Sequence, residues 1–275
     1  MGDTHRRAAM AERAARAGGT VARQSFRTEL QVETKGAKGD LVTEADRDAQ
    51  RQVIATIREE FRSDAIVAEE DALPVGTGED EGLAAEIPER GDAWVVDPID
   101  GTANFARGLS LWTTSVAALV DGSAVGSATF LPVHGDAYAA GPDSAMRNGT
   151  TLAVSDESDP ERFSVGLVGR WEREEADAFG DICAALTRHL GDVRRLGSMQ
   201  ATLALVADGT LDAVVAPSRE APWDTVAGVH LVRAAGGVVT DVDGDRWERD
   251  SQRLVASGDG AHDAVCEAVR AGLGH

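Results

Sequence analysis

A chain of 275 residues with 43% hydrophobic content can bury one large core or two closely packed halves, which excludes wholesale disorder. Its formal net charge of −20, from 47 acidic against 27 basic residues, excludes a nucleic-acid or anionic-membrane surface, and it repels phosphate esters unless metal ions reverse the local sign. No apolar run approaches the roughly 20 residues of a membrane span, and the charged segment MGDTHRRAAMAERAARAGG lacks the apolar stretch of a secretory signal, so the expected location is the cytoplasm. Residues 4–30 read as an amphipathic helix ending near QVET. A second helix is expected over 44–62, with Val53, Ile54, Ile57 and Phe61 at helical spacing and Thr43 as its cap. IVAEE (66–70) reads as a short strand, 71–91 as an exposed acidic loop, and WVVD (94–97) as a buried strand ending in a turn. Strands follow at 113–119, 124–131 and 136–140, with Asp121–Gly122 as a hairpin turn. The second half alternates: strands at 163–169, 193–196, 211–216 and 253–257, helices at 172–190, 198–208, 224–235 and 261–272, and a hairpin over 237–247.

An antiparallel-rich half followed by a strand–helix half suggests an α/β layered sandwich. A single domain is expected, with subdomain-like halves of about 1–155 and 156–275. Cys183 and Cys266 form neither a disulfide framework nor a zinc motif and read as free thiols. Lysine occurs only at Lys35 and Lys38. Scarce lysine with excess acid suggests a halophilic protein, since salt screens self-repulsion; a GC-rich genome would explain the lysine scarcity but not the acids.

The strongest local signal for chemistry is WVVDPIDGTANF (94–105). Asp97 and Asp100 lie three apart around Pro98, with the Ile99 carbonyl between them, and hard oxygen donors of this kind suit Mg²⁺. Gly101 and Thr102 then open a short helix whose free N–H groups suit a phosphate. The same segment also reads as an acidic turn in which Asp100 caps the helix. Glu69 and Glu70, at a strand end, could complete a metal shell or simply be solvated acids. Asp46, at the third position of the helix capped by Thr43, reads as a capping-box partner. Asp224, after Pro222 and Trp223, reads as a helix cap or as a metal ligand from the second half. Gly197 and Ser198 open another helix, as a cap or as contacts to substrate. DVDGDRWERDSQ (241–252) places its glycine and Gln252 wrongly for a calcium loop, and the six histidines show no metal spacing.

The order DLVTEAD, AEE, WVVDPIDGTANF, LGSxxxxLxxVAxGxLD and PWDTVAG resembles the inositol monophosphatase family of lithium-sensitive, Mg²⁺-dependent sugar phosphatases, over about residues 35–257. The resemblance implies an αβαβα layered sandwich with mixed sheets, two or three Mg²⁺ per site and a homodimer. It implies that Glu69, Asp97 and the Ile99 carbonyl bind one metal, that Asp97, Asp100 and Asp224 share a second, and that Glu69 also serves a weaker third. Asp46 and Thr102 would activate water, with Glu69 in the catalytic group. Gly101 and Thr102 would hold the phosphate, and Gly197, Ser198, Met199 and Asp224 would contact substrate. The implied substrate is inositol monophosphate or a similar small phosphorylated polyol or sugar; fructose 1,6-bisphosphate, and 3′-phosphoadenosine 5′-phosphate or NADP, are alternatives, as is a non-catalytic partner-binding role. Two departures bear on substrate. Met199 replaces a commonly smaller residue, and Pro217 stands seven residues before Asp224, where animal members carry an acid that meets inositol hydroxyls. Arg170 and Arg195 read as a second-phosphate site or as solvated surface.

Overall fold

Small side chains along the first helix set how closely the layers stack. In the computed structural model, which describes residues 2–28, 32–34, 41–74 and 82–274, α1 (Asp3–Ser25) buries Met10, Ala11, Ala14, Ala15 and Ala22. A two-stranded antiparallel ribbon of β1 (Val32–Thr34) and β2 (Leu41–Thr43) leads into α2 (Glu44–Arg58), which buries Val53, Ile54 and Ile57. Both helices end earlier than their sequence periodicity suggests. After Ser25 the backbone extends at Phe26, whose ring packs 5.6 Å from those of Phe105 and Trp112. After Arg58, Phe61 leaves the helix to pack on Trp94, and the Arg58 guanidinium donates to the carbonyls of Phe61, Arg62 and Asp64. Lys35, Lys38 and Asp40, and residues 75–81 of the expected acidic loop, lie outside the described residues.

Seven strands form the first sheet, in chain order. β3 (Ala65–Ala68) runs parallel to β4 (Asp92–Asp100). After the single-turn α3 (Thr102–Ala106) come β5 (Thr113–Val120), β6 (Ser123–Leu131), β7 (Asp136–Ala140), β8 (Ala145–Arg147) and β9 (Thr150–Thr151), all antiparallel. The Asp121–Gly122 hairpin is present, with φ of 47° and 74° at its two central residues, the left-handed pair such a turn needs. β8 and β9 are too short to show an alternating pattern.

The second sheet is assembled from β10 (Ser164–Leu167), α4 (Ala176–His189), β11 (Asp192–Arg194), α5 (Met199–Ala207), β12 (Ala213–Ala216), α6 (Pro222–Ala234), β13 (Val238–Thr240), β14 (Leu254–Ser257) and α7 (Asp259–Leu273). Its order is β11-β10-β12-β14-β13, parallel on the β11–β10–β12 side and antiparallel beyond. The hairpin expected over 237–247 is reduced to one bridge, Thr240 with Arg246, on the edge of β13 that β14 does not occupy. Asp241 accepts from the Asp243 and Asp245 N–H groups in a tight turn.

Buried faces fix the stacking. α1 and α2 cover one face of the first sheet, α5 and α6 pack between the two sheets, and α4 and α7 close the far side. This is the αβαβα sandwich with mixed sheets. Both middle-layer helices begin at one end of the sandwich, where β4 also ends.

Candidate active site

Residues three apart in a regular strand face opposite sides. Asp97 and Asp100 nevertheless converge, because β4 does not turn after Asp97 as the sequence suggested. It continues through a bulge: Asp97 pairs with Ser115 and Asp100 with Thr113, so β4 holds one residue more than β5 between those pairs. Pro98 cannot donate to the ladder, and the Thr114 hydroxyl takes up its carbonyl at 2.7 Å. The extra residue restores both aspartates to one side.

Asp100 is then fixed by the start of α5. It accepts from the Ser198 hydroxyl and from the N–H groups of Met199 (3.2 Å) and Gln200 (2.8 Å). Ser198 also caps α5, accepting from the Ala201 N–H at 3.1 Å. The Ser198 side chain, singled out as a substrate contact, is therefore committed to the cap and to Asp100. Gly101 sits at φ 91°, and a Cβ there would lie 3.1 Å from the Gly197 carbonyl oxygen, so glycine is what lets these two loops meet. Asn104 ties them, donating to the carbonyls of Leu111 (2.7 Å) and Leu196 (2.8 Å).

Asp224 arrives from α6, whose first residue is Pro222. Gln200 on α5 donates to the Trp223 carbonyl at 2.6 Å, joining the two helix starts. Lower down, Gly228 lies against Leu203; a Cβ there would come within 2.5 Å of the Leu203 Cδ1. Through these contacts one carboxylate oxygen each of Asp97, Asp100 and Asp224 falls within 4.8 Å of the others.

Glu69 follows β3, its N–H donating to the Val96 carbonyl at 3.2 Å. The next peptide is held by the buried Gln50 of α2, which accepts from the Glu70 N–H at 2.9 Å and donates to the Glu70 carbonyl. Asp46 is the capping partner the sequence suggested, receiving the Thr43 N–H (2.8 Å) and hydroxyl (2.5 Å) on one oxygen. Its other oxygen lies 3.2 Å from the Thr102 hydroxyl, which also reaches the Ile99 carbonyl at 3.0 Å. Capping and site-building are therefore the same arrangement at Asp46.

Glu69, Asp97, Ile99, Asp100, Gly101 and Thr102 line an open cavity of about 380 Å³ together with Gly197, Ser198, Met199 and Asp224. Asp46 stands behind Thr102. The sequence reading did not single out Glu220 or Trp171, which also line this cavity, nor Gln50, Asn104 and Gln200, which brace it. For Gln200 the available signal was an amide opening the largely apolar run 201–207; Gln50 and Asn104 stand among mostly polar and small residues that give none. Pro217 is buried and brings no acid.

Burial drives the electrostatics. It pushes the Asp97 carboxyl well above the ordinary value, and Glu69, Asp100 and Asp224 push further. Asp224 is raised by burial and by Asp100 and Glu69. Asp100 is raised by burial, with Ser198, Gln200 and Met199 pulling back. Burial lifts Asp46 to about 6 against the opposing pull of Thr43. One oxygen of Asp97 is buried with no hydrogen-bond partner among the described residues. A desolvated carboxylate of that kind is costly unless a cation meets it. All-oxygen donors, three converging acids and an orphaned oxygen fit Mg²⁺.

Comparison with known proteins agrees with this geometry. The model of the inositol monophosphatase family matches residues 3–273. The chain belongs to the inositol monophosphatase family. This is a family of phosphoric monoester hydrolases whose phosphatase activity is in general Mg²⁺-dependent. The chain is 33% identical over 240 residues to the fructose-1,6-bisphosphatase/inositol-1-monophosphatase of Thermotoga maritima, covering 86% of each chain. It is 31% identical to the Nus factor SuhB of Escherichia coli, over 86% of this chain and 85% of that one. The solved inositol monophosphatase of Thermotoga maritima superposes with a TM-score of 0.83 at 29% identity, over 96% of both chains. Among the described residues no helix is long and apolar enough to cross a membrane.

Proposed function

We propose that this inositol monophosphatase family member hydrolyses the phosphate monoester of a small polyol or sugar, of which inositol monophosphate is the type. The observation that carries the reading is the convergence of Asp97, Asp100 and Asp224, with one buried Asp97 oxygen left unpartnered. Asp97, Asp100, Asp224, Glu69 and the Ile99 carbonyl are the residues that hold two or three Mg²⁺. Bound there, Mg²⁺ neutralises the phosphate dianion, acidifies water and stabilises the leaving alkoxide. Asp46 and Thr102 orient the attacking water, and Asp46 accepts its proton, being fixed on one oxygen by Thr43 and turned toward Thr102 by the other. The Gly101 and Thr102 N–H groups steady the phosphate, and Met199 and Gly197 border the alcohol. Ser198 serves substrate indirectly, by locking Asp100.

The deciding experiment is a phosphate-release panel with Mg²⁺ containing inositol 1-phosphate, fructose 1,6-bisphosphate, 3′-phosphoadenosine 5′-phosphate and NADP. Release from inositol 1-phosphate that LiCl suppresses more than matched KCl supports the reading. Absence of release from every ester counts against it and leaves the partner-binding role. A second reading, a bisphosphate substrate, is favoured by Arg170 and Arg195 at the cavity and by the name of the Thermotoga relative.

A further inference from the structure

Those two readings meet at Glu220. It lies between β12 and α6, four residues before Asp224, and lines the same cavity as the acid cluster and Arg170. The Ser218 hydroxyl donates to its Oε1 at 3.1 Å. That oxygen is also pressed against the loop carrying Arg170: a Cβ built on Gly169 would lie 3.0 Å from it. Ser218 and the Gly169 loop thus hold one carboxylate oxygen. Arg195, the other cation at the cavity, is tied to that loop, donating to the Gly169 carbonyl at 2.9 Å with its guanidinium 5.1 Å from the centre of the Phe179 ring. Arg170 and Arg195 are both exposed at the rim, whereas Glu220 is only partly exposed. Its charge is therefore less screened by water than that of either cation.

We propose that Glu220 is a specificity-determining residue, setting its charge against that of Arg170 so that the cavity favours monophosphates of neutral, hydroxyl-rich alcohols over substrates with a second phosphate. A substrate hydroxyl donates to the carboxylate, and a second phosphate is repelled by it. Burial raises the Glu220 carboxyl, with Asp100 adding to the rise and Ser218 and the Arg170 charge opposing it. The assignment rests on the phosphatase reading above.

The test compares wild type with Glu220→Gln, whose amide oxygen can still accept from Ser218, after circular dichroism has shown that both fold. With Mg²⁺, kcat/KM is measured for inositol 1-phosphate, fructose 1,6-bisphosphate and p-nitrophenyl phosphate. The expected result is a shift of about tenfold or more in the inositol 1-phosphate to bisphosphate ratio toward the bisphosphate, carried mainly by KM. Arg170→Ala in the Glu220→Gln background then reverses the gain on the bisphosphate. A ratio unchanged within about twofold, or a proportional fall on all three substrates, overturns the assignment while leaving the phosphatase reading intact. Wild-type protein that releases phosphate from none of the three overturns both.

Discussion

Gln50 grips the Glu70 peptide at both polar atoms, accepting from its N–H at 2.9 Å and donating to its carbonyl at 2.5 Å. This contact crosses from α2 to the loop that presents Glu69. Gln50 also donates to the Ala72 carbonyl at 2.9 Å, so replacing it with Leu takes the partner from three backbone groups. The expected cost is about 2–4 kcal/mol, together with a higher Mg²⁺ concentration for half-maximal activity as Glu69 loses its anchor. Urea unfolding and a Mg²⁺ titration of phosphate release read the two effects, and unchanged Mg²⁺ dependence would argue that Gln50 supports the fold alone.

Asp97→Asn separates function from stability. It removes a buried charge crowded by Glu69, Asp100 and Asp224. Phosphate release should fall by about a thousandfold or more, since both implied metal sites use this residue. The metal-free variant should melt at or above the wild-type temperature, and Mg²⁺ should no longer raise it. A melting temperature that still responds fully to Mg²⁺ would remove Asp97 from the metal site.

The acid cluster also sets a pH dependence. Asp46 stands at about 6 against an ordinary 3.8, and Asp97, Asp100 and Asp224 are raised as well. A carboxyl raised on folding contributes stability below its unfolded pKa and loses it as pH climbs through its folded pKa. His230, pushed down to about 4 by burial, and His262, also lowered, act in the opposite sense and favour the fold at higher pH. The metal-free melting curve mixes both. The Mg²⁺-induced rise in melting temperature isolates Asp97, Asp100 and Asp224, because binding must displace the protons their raised carboxyls hold, and it should grow as pH climbs above the ordinary carboxylate range. A rise independent of pH would show that these carboxyls are already ionised without metal.

Two glycines in helices make a matched pair. At Gly228 a Cβ would strike Leu203, while at Gly180 on exposed α4 nothing lies within 4 Å. Gly228→Ala should cost about 1–3 kcal/mol and lower activity by pushing α6, and Asp224 with it, away from α5. Gly180→Ala should gain about 0.5–1 kcal/mol with activity unchanged. Equal effects at both positions would mean that α5–α6 packing does not control the cavity.

Much of this was readable from local chemistry. Apolar runs between Gly and Pro turns placed β5 to β7, and Thr43 with Asp46 announced the start of α2. Asp97, Asp100 and Asp224 could be nominated one by one, but only the resemblance joined them. Their meeting depends on a bulge at Pro98 and on the close approach of two helices at Gly228, and neither leaves a local signature. Helix ends were overrun because Phe26 and Phe61 keep the apolar spacing of the helices they leave, and distant aromatic partners decide where they turn. Glu220 escaped notice because one more acid in so acidic a chain carries no signal until its cavity neighbours are seen.

Asp97 and Asp100 leave the ribosome long before Asp224 does, and α5, whose N-terminus secures Asp100, also emerges late. A nascent chain therefore carries two crowded aspartates with no clasp until α5 is made and no third arm until α6 follows. A cation held by all three acids can bind only once α6 is made, at the end of the sandwich where the early and late parts of the polypeptide join. Magnesium shortage during synthesis should thus show first as protein that finishes translation but matures slowly.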